Sequence, residues 1–152
     1  MKILGLDQST KITGWSLWED DKLVDYGALD SSVKENLPLV RMEEMYKLVK
    51  NLTKTHNPDF VVIEGVQFQN NFNVYGQLSQ MQGVLFSLMY ERDIGFVVCE
   101  PTKWRSFFGI KGQKREEHKA AAIQYVKEKY RIEASEDTCE AILIGCWGVA
   151  NC

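Results

Sequence analysis

The sequence predicts an α/β protein with a mixed five-stranded sheet covered by helices on both faces, in the order β-β-β-α-β-α-β-α-α. Two observations predict this class. Three short apolar segments, joined by tight turns, open the chain, which is typical of an antiparallel meander. The remainder alternates helical periodicity with short apolar runs, which favours parallel strands between helices. With 152 residues, 45% of them hydrophobic, we expect a single domain over 1–152.

The meander begins with an apolar run, Ile3 to Leu6, that ends in Asp7. A polar turn follows at 8–11, and apolar, β-branched and aromatic residues resume over 12–18. A third strand is expected over 22–29. A carboxylate at the end of a buried strand lies where apolar chain meets water, although Asp7 alone could simply open the turn.

The next two elements are an amphipathic helix and a buried strand. Apolar residues at helical spacing predict a helix that begins near Pro38 and stops at His56-Asn57-Pro58, with three candidate caps, Ser31, Ser32 and Asn36. The run 59–64 is apolar without alternation, so we expect burial on both faces, and it ends in Glu64. If this strand lies parallel to the first, Glu64 and Asp7 lie side by side.

The rest of the chain supplies a strand and three helices. The second helix, over 72–92, has an apolar stripe from Val74 to Met89 and a face of small residues, Gly76, Ser79 and Gly83. A strand over 94–99 is ended by Pro101. Two further helices are expected over 113–130 and from a cap at Ser135 to about residue 149.

Charge is unevenly distributed along the chain. Residues 103–119 contain six cations and two anions, a formal charge of +4, which leaves −7 for the rest because the whole chain carries −3. The overall charge is not typical of a nucleic-acid binder. A basic segment in an acidic chain nevertheless fits an edge that faces phosphates beside an acidic metal site.

Composition excludes several classes of protein. No apolar run approaches the ~20 residues that a membrane helix needs, and we see no signal peptide, so we expect a cytoplasmic protein without membrane association. The four cysteines form no C-x-x-C pair and are expected to be buried free thiols. With two histidines, a His-based metal site is not expected.

A second acidic group opens the last helix. Asp137 and Glu140 are three residues apart and share a helix face, whereas Glu136 simply complements the helix dipole. Asp137 and Glu140 could also serve only to complement the helix dipole. Together with the two strand-end acids they form three converging sources of carboxylates, for which Mg²⁺ or Mn²⁺ is the expected partner. Two such ions would support phosphodiester hydrolysis.

Four segments resemble the RuvC-type Holliday-junction resolvases: L-G-L-D-Q-S-T-K-I-T-G-W at 4–15, N-P-D-F-V-V-I-E-G-V at 57–66, Q-M-Q-G-V at 80–84 and D-T-C-E-A-I at 137–142. The resemblance implies a ribonuclease H-like fold, a homodimer and a branched DNA substrate, the four-way junction. It implies two Mg²⁺ per active site, with Mn²⁺ able to substitute. The four catalytic and metal-binding acids of the family map onto Asp7, Glu64, Asp137 and Glu140.

Small size and divergent loops resemble the bacteriophage branch of the family, which implies the cytoplasm of a bacterial host. The chain departs from the family pattern at two of the motifs. Glu140 stands where the family usually has Asp, and Ser9 stands where Gly is typical. An aromatic wedge is typical of the loop after the second acid, and Phe68 is the candidate here. The alternative is that Phe68 folds back onto the core.

The basic segment resembles the lysine-rich stretch that approaches the scissile strand in this family. Lys114 matches a catalytic lysine, and the other DNA-binding candidates are Lys103, Arg105, Lys111 and Arg115. Lys119 is interpreted as solvated. The aromatic residues of the segment, Trp104, Phe107 and Phe108, are expected to anchor the core rather than stack on bases.

Three other functions remain open from the sequence. A ribonuclease H-like enzyme that processes ribosomal RNA precursors would share the acids. An actin-like ATPase also has an Asp followed by Ser-Thr after a strand, but that fold needs two such domains. A non-catalytic branched-DNA-binding or capsid-associated protein would not require all four acids.

Overall fold

The computed structural model describes residues 1–32 and 36–152. Its strands form one five-stranded sheet in the order β3-β2-β1-β4-β5. The elements are β1 (Lys2–Asp7), β2 (Ile12–Glu19), β3 (Lys22–Asp30), α1 (Pro38–His56), β4 (Phe60–Glu64), α2 (Phe72–Glu91), β5 (Gly95–Cys99), α3 (Pro101–Phe107), α4 (Arg115–Tyr130) and α5 (Glu136–Asn151). None of the helices in the described residues combines the length and the hydropathy that a membrane span requires.

The sheet is mixed, which confirms the prediction. β1 pairs antiparallel with β2, and β2 pairs antiparallel with β3. On its other side β1 runs parallel to β4, with Leu6 opposite Ile63, and β4 runs parallel to β5. Because parallel strands end at the same edge of a sheet, Asp7 and Glu64 follow adjacent positions there, as the sequence predicts.

Helices cover both faces of the sheet. Leu4 and Leu6 of β1 belong to a core cluster with buried side chains of α1 and α2, such as Met45 and Leu85. Ile3, from the other face of the same strand, belongs to a second cluster with side chains of α3, α4 and α5. This division follows from the alternation of side chains along a strand.

Helix α5 lies unusually close to the sheet, because glycines meet where it crosses β1 and β2. A Cβ atom on Gly5 would lie 2.6 Å from the backbone nitrogen of Gly145, and one on Gly14 would collide with the carbonyl of Asp137. In addition, Ser16 Oγ donates a hydrogen bond of 2.6 Å to the carbonyl of Ala141. These contacts hold the first turn of α5 over the ends of the central strands.

Helix α3 was not predicted from the sequence. Pro101 was expected only to end the fifth strand, but it is the first residue of α3. Proline suits that position because its fixed φ angle is helical and its missing N–H would have no partner there. Phe107, expected in the core, is half exposed at the end of α3, whereas Trp104 is fully buried as predicted.

Helix ends agree with the sequence in part. Ser135 caps α5 as predicted, since its Oγ accepts a hydrogen bond from the Thr138 N–H. The three proposed caps of α1 were wrong: the residue before Pro38 is Leu37, which provides no side-chain cap. At the start of α2, Val74 is half exposed rather than part of the buried stripe.

The cysteines are free thiols, as predicted, but they are not all buried. Cys99 and Cys139 lie in the core, Cys146 is partly buried and Cys152 is exposed.

Candidate active site

Three carboxylates from three elements meet at one edge of the sheet. Asp7 ends β1, Glu64 ends β4, and Glu140 lies in the second turn of α5. One oxygen atom from each lies within 4.8 Å of the other two. Asp7 and Glu64 are largely buried and Glu140 is buried. The convergence predicted from the sequence therefore exists in the structure for these three acids.

The crowding of these acids disturbs their titration. Burial, and then the neighbouring Glu64 and Glu140 carboxylates, raise the pKa of Asp7 well above its ordinary value. Burial and then the charge of Glu64 raise the pKa of Glu140 to about 7, although Arg105 and Lys119 partly oppose this rise. Like charges this close favour a proton or a cation between them. The donor set consists of hard carboxylate oxygens, which fits a divalent metal ion.

Asp137 does not join this three-acid group. It lies in the first turn of α5, partly buried, one turn before Glu140. Burial raises the pKa of Asp137, and the nearby Lys119 ammonium opposes that rise. Its charge contributes to the raised pKa values of both Asp7 and Glu140. Asp137 therefore lies beside the three converging acids, close enough for its charge to raise the pKa of Asp7 and Glu140.

Glu64 is held by residues from two helices. The indole N–H of Trp104 donates a hydrogen bond of 2.9 Å to Glu64 Oε1, and Arg105 Nη2 lies 4.0 Å from the same oxygen. From α2, Gln82 Nε2 donates a hydrogen bond of 2.9 Å to the backbone carbonyl of Glu64. Sequence reasoning missed the contact of Trp104 because a buried tryptophan in an apolar setting looks like an ordinary core residue.

Side-chain hydrogen bonds close the turn after Asp7, where Ser9 stands. The Ser9 N–H donates a hydrogen bond of 3.1 Å to Thr13 Oγ1, and the Thr13 hydroxyl donates one of 3.0 Å to the carbonyl of Ser9. Gln8, buried beside Asp7, donates a hydrogen bond of 3.4 Å to the Leu78 carbonyl on α2. These hydrogen bonds fix the turn that follows Asp7.

Arg41 is a second residue that the sequence did not single out. Its guanidinium is buried and donates to Gln77 Oε1 at 3.1 Å and to the Asn36 carbonyl and side chain at 2.9 and 2.8 Å. A longer contact of 3.4 Å reaches Thr10 Oγ1 in the turn after Asp7. This network ties the turn to α1 and α2.

The cations of the basic segment lie in different environments. Lys103, Lys111, Lys114 and Arg115 are exposed, whereas Arg105 is partly buried beside Glu64. The loop before α4 bends at two glycines with positive φ, Gly109 and Gly112. The Glu117 carboxylate accepts hydrogen bonds from the backbone N–H groups of Gln113 and Lys114, which fixes the end of this loop.

Lys119 is closer to the acids than its interpretation as solvated implied. Its ammonium lies 2.8 Å from Glu136 Oε2, and its side chain is largely buried. Its charge lowers the pKa of both Asp137 and Glu140. The helical position of Lys119, four residues after Arg115, could have indicated that both share a face of α4.

Phe68 does not fold back onto the core. Its side chain is 48% exposed. Its ring packs against two other aromatic rings at the start of α2, with centroids 4.7 Å from Phe72 and 5.8 Å from Tyr75. Phe72 is itself 79% exposed. The loop after Glu64 therefore presents a cluster of aromatic rings to solvent.

Comparisons with known proteins point to one family. Residues 3–143 match the family model of crossover junction endodeoxyribonuclease RuvC. The chain is 26% identical over 152 residues to RuvC of Fusobacterium nucleatum, covering 95% of this chain and 77% of that protein. It is 25% identical over 150 residues to RuvC of Syntrophomonas wolfei, covering 95% and 86% respectively.

Solved structures show the same fold. T. thermophilus RuvC, solved in complex with a Holliday junction substrate, has a TM-score of 0.76 at 12% identity, over 96% of this chain and 91% of that one. The yeast mitochondrial Holliday junction resolvase Ydc2 has a TM-score of 0.63 at 16% identity, over 97% and 77%. These matches confirm the predicted ribonuclease H-like architecture.

Proposed function

Because this chain belongs to the family of crossover junction endodeoxyribonuclease RuvC, we propose that it is a structure-selective DNA endonuclease that resolves Holliday junctions. The observation that supports the chemistry is the convergence of Asp7, Glu64 and Glu140 within 4.8 Å at the sheet edge. Such a cluster of hard oxygen donors suits metal-dependent phosphodiester hydrolysis. We also propose that it cleaves other branched DNAs.

The proposed cofactor is Mg²⁺, with Mn²⁺ able to substitute and two ions in each active site. Asp7, Glu64 and Glu140 would hold the metal, and Asp137 is the proposed fourth ligand. When bound, divalent ions supply an activated water and offset charge on the leaving oxygen. The protein contributes the arrangement of the acids, the hydrogen bonds that orient Glu64, and the closely packed start of α5.

DNA is proposed to approach along the basic segment. Exposed cations attract phosphates and give binding that weakens with salt. Four of the proposed contacts, Lys103, Lys111, Lys114 and Arg115, are exposed, and the fifth, Arg105, is partly buried beside Glu64. Lys114 is proposed as the lysine that acts at the scissile phosphate. Phe68, whose ring is half exposed, is the proposed wedge between bases at the junction centre.

A symmetric homodimer joined through α2 is proposed as the working unit. A four-way junction has two scissile strands, and the described residues of each chain hold one cluster of converging acids. Residues 65–90 contain no Asp, Glu, Lys, Arg or His. At Gly76 and Gly83 an added Cβ would meet nothing within 4 Å. An uncharged helix face with open glycines is compatible with close approach of a second copy.

The same proposal includes the setting of the enzyme. Residues 1–152 are proposed to form one nuclease domain that acts on DNA in the cytoplasm. Bacteriophage origin, and with it a bacterial host cytoplasm, stays a prediction from the small size of the chain and its divergent loops.

A cleavage panel tests the proposed function. The substrates are a four-way junction, a flap, a Y-fork, a plain duplex and an RNA–DNA hybrid, each with Mg²⁺, with Mn²⁺ and with a chelator. We expect cleavage of the four-way junction that requires metal, and no comparable cleavage of the duplex. Preferential cleavage of the hybrid would instead favour an RNA-processing enzyme, and junction binding without cleavage would favour a non-catalytic binding protein.

A further inference from the structure

The short helix α3 places a buried indole against the acidic group. Trp104 is fully buried, and its Nε1–H donates a hydrogen bond of 2.9 Å to Glu64 Oε1. We propose that Trp104 is a positioning residue, which orients the Glu64 carboxylate for metal binding. This inference rests on the proposed metal-dependent function and assigns a part of it to a residue that contacts no substrate.

Glu64 needs such a partner because of its length and place. A glutamate side chain has more rotatable bonds than an aspartate side chain. A side chain that rotates freely loses rotamer entropy when it binds a metal. Glu64 is the last residue of β4, directly before the loop that begins at Gly65. A hydrogen bond that selects one rotamer before the metal arrives removes part of that cost.

The indole can hold this direction because its own position is fixed. Trp104 belongs to the core cluster that includes Cys99, Ile142 and Leu143. The guanidinium of Arg105 lies over its ring, with Cζ 5.1 Å from the ring centroid. Rotating the indole would require opening the core, so the N–H keeps pointing toward Glu64.

The chemistry of the indole also suits this role. Its N–H is a donor only, so Trp104 cannot compete with the carboxylates as a metal ligand. Because the group is neutral, it orients the carboxylate without adding a charge that would repel a cation. Arg105 Nη2 lies 4.0 Å from the same oxygen, which is too far for a hydrogen bond, so the indole N–H is the group that fixes the direction of this oxygen.

The first test compares two Trp→Phe variants. Trp104→Phe keeps an aromatic ring and removes the N–H. Trp18→Phe is the matched control, because Trp18 is also buried and its indole N–H also donates a hydrogen bond, of 3.2 Å, to Ser16 Oγ. Trp18 is on β2, opposite Ile3 of β1. Ile3 is four residues from Asp7, or about 13 Å along the strand, so the control lies away from the acids.

The readout is Mn²⁺ affinity of the full chain without DNA, measured by the electron paramagnetic resonance signal of free Mn²⁺. We expect Trp104→Phe to weaken binding by about tenfold or more, the effect typical of a lost partner of a metal ligand, and Trp18→Phe to leave it unchanged. Equal affinity of Trp104→Phe and the parent overturns this inference and leaves the proposed function intact. A parent that binds no Mn²⁺ overturns both.

A second measurement uses the unmodified protein, so it does not depend on how Trp104→Phe folds. The indole N–H signals of the four tryptophans are followed by nuclear magnetic resonance during Mg²⁺ addition. We expect the Trp104 signal to shift as Glu64 binds metal, while the Trp18 signal stays in place. A Trp104 signal that stays unmoved through saturating Mg²⁺ overturns the inference.

Discussion

At the residue scale, Glu140 is where this chain departs most clearly from the acid that is usual in its family. Its carboxylate is buried against Asp7 and Glu64, and the extra methylene group changes how far it reaches. Mg²⁺ requires near-octahedral geometry, whereas larger or more adaptable ions tolerate deviation. The length of this side chain should therefore influence which ion supports the reaction.

We predict that Glu140→Asp remains active and changes the ratio of rates with Mg²⁺ and Mn²⁺, because the shorter acid alters ligand spacing. Glu140→Ala should lose most of its activity. The measurement is single-turnover cleavage of a four-way junction across metal concentrations. If Glu140→Ala cleaves as fast as the parent, Glu140 is only a charge at the start of α5.

The raised pKa of Glu140 also predicts how stability depends on pH. A carboxyl group whose pKa rises from 4.5 to about 7 on folding favours the folded state below pH 4.5. That stabilisation is lost as pH rises through 7. Without metal, the melting temperature of the parent should therefore fall between pH 5 and pH 8. The melting temperature of Glu140→Gln should fall less over the same range, because glutamine does not titrate.

Thermal unfolding in a chelator at several pH values checks this prediction, with the difference between parent and Glu140→Gln as the readout. Added Mg²⁺ should restore stability to the parent at pH 8, because the metal then takes the place of the proton. Parallel pH profiles for the two proteins would contradict the assignment of this titration to Glu140.

At the scale of elements, the loop 108–114 and the start of α4 form the proposed approach for DNA. Lys111→Ala and Arg115→Ala should each lower the salt slope of junction binding by about one unit, the effect of one lost phosphate contact. Lys114→Ala should reduce the cleavage rate more than the affinity. Fluorescence anisotropy at several salt concentrations measures the slopes.

Lys127→Ala is the matched control for these variants. It removes the same charge from an exposed position of the same helix, 12 residues beyond Arg115 or about 18 Å along the axis. It should leave both affinity and salt slope close to those of the parent. If the slopes of all four variants equal that of the parent, this segment lies away from the DNA.

Part of this arrangement of elements could be predicted from the sequence. Asp7 and Glu64 could be brought together in advance because each ends an apolar run, and parallel strands end at one edge. The helix α3 could not be predicted, since seven residues are too few for helical periodicity. The contact of Trp104 with Glu64 depends on that helix, so this contact could not be predicted either.

For Asp137 and Glu140, the sequence predicted a shared helix face but not how α5 would cross the sheet. That crossing is set by close contacts at Gly5, Gly14 and Gly145, which no helical pattern reveals. As a result Glu140 joins the two strand-end acids and Asp137 lies beside them.

At the scale of the whole molecule, the proposed dimer can be tested on the free protein. We predict a dimer at micromolar concentration in sedimentation, and a monomer for Gly83→Leu, because a bulky side chain would hold the two copies of α2 apart. Ala120→Leu, at an exposed position of α4, is the control and should stay dimeric. A folded Gly83→Leu variant that still dimerises would place the interface elsewhere.

We propose that two copies of the acidic cluster, one from each chain of the dimer, cut the two scissile strands of a four-way junction with the help of metal. The most direct measurement uses a supercoiled plasmid that extrudes a cruciform, because two cuts within one complex give linear DNA and a single cut gives a nicked circle. We predict linear product with Mg²⁺ for the parent, and none for Asp7→Asn or Glu64→Gln, although both variants should still bind the junction. Linear product from either variant, or no metal-dependent cutting by the parent, would contradict the account.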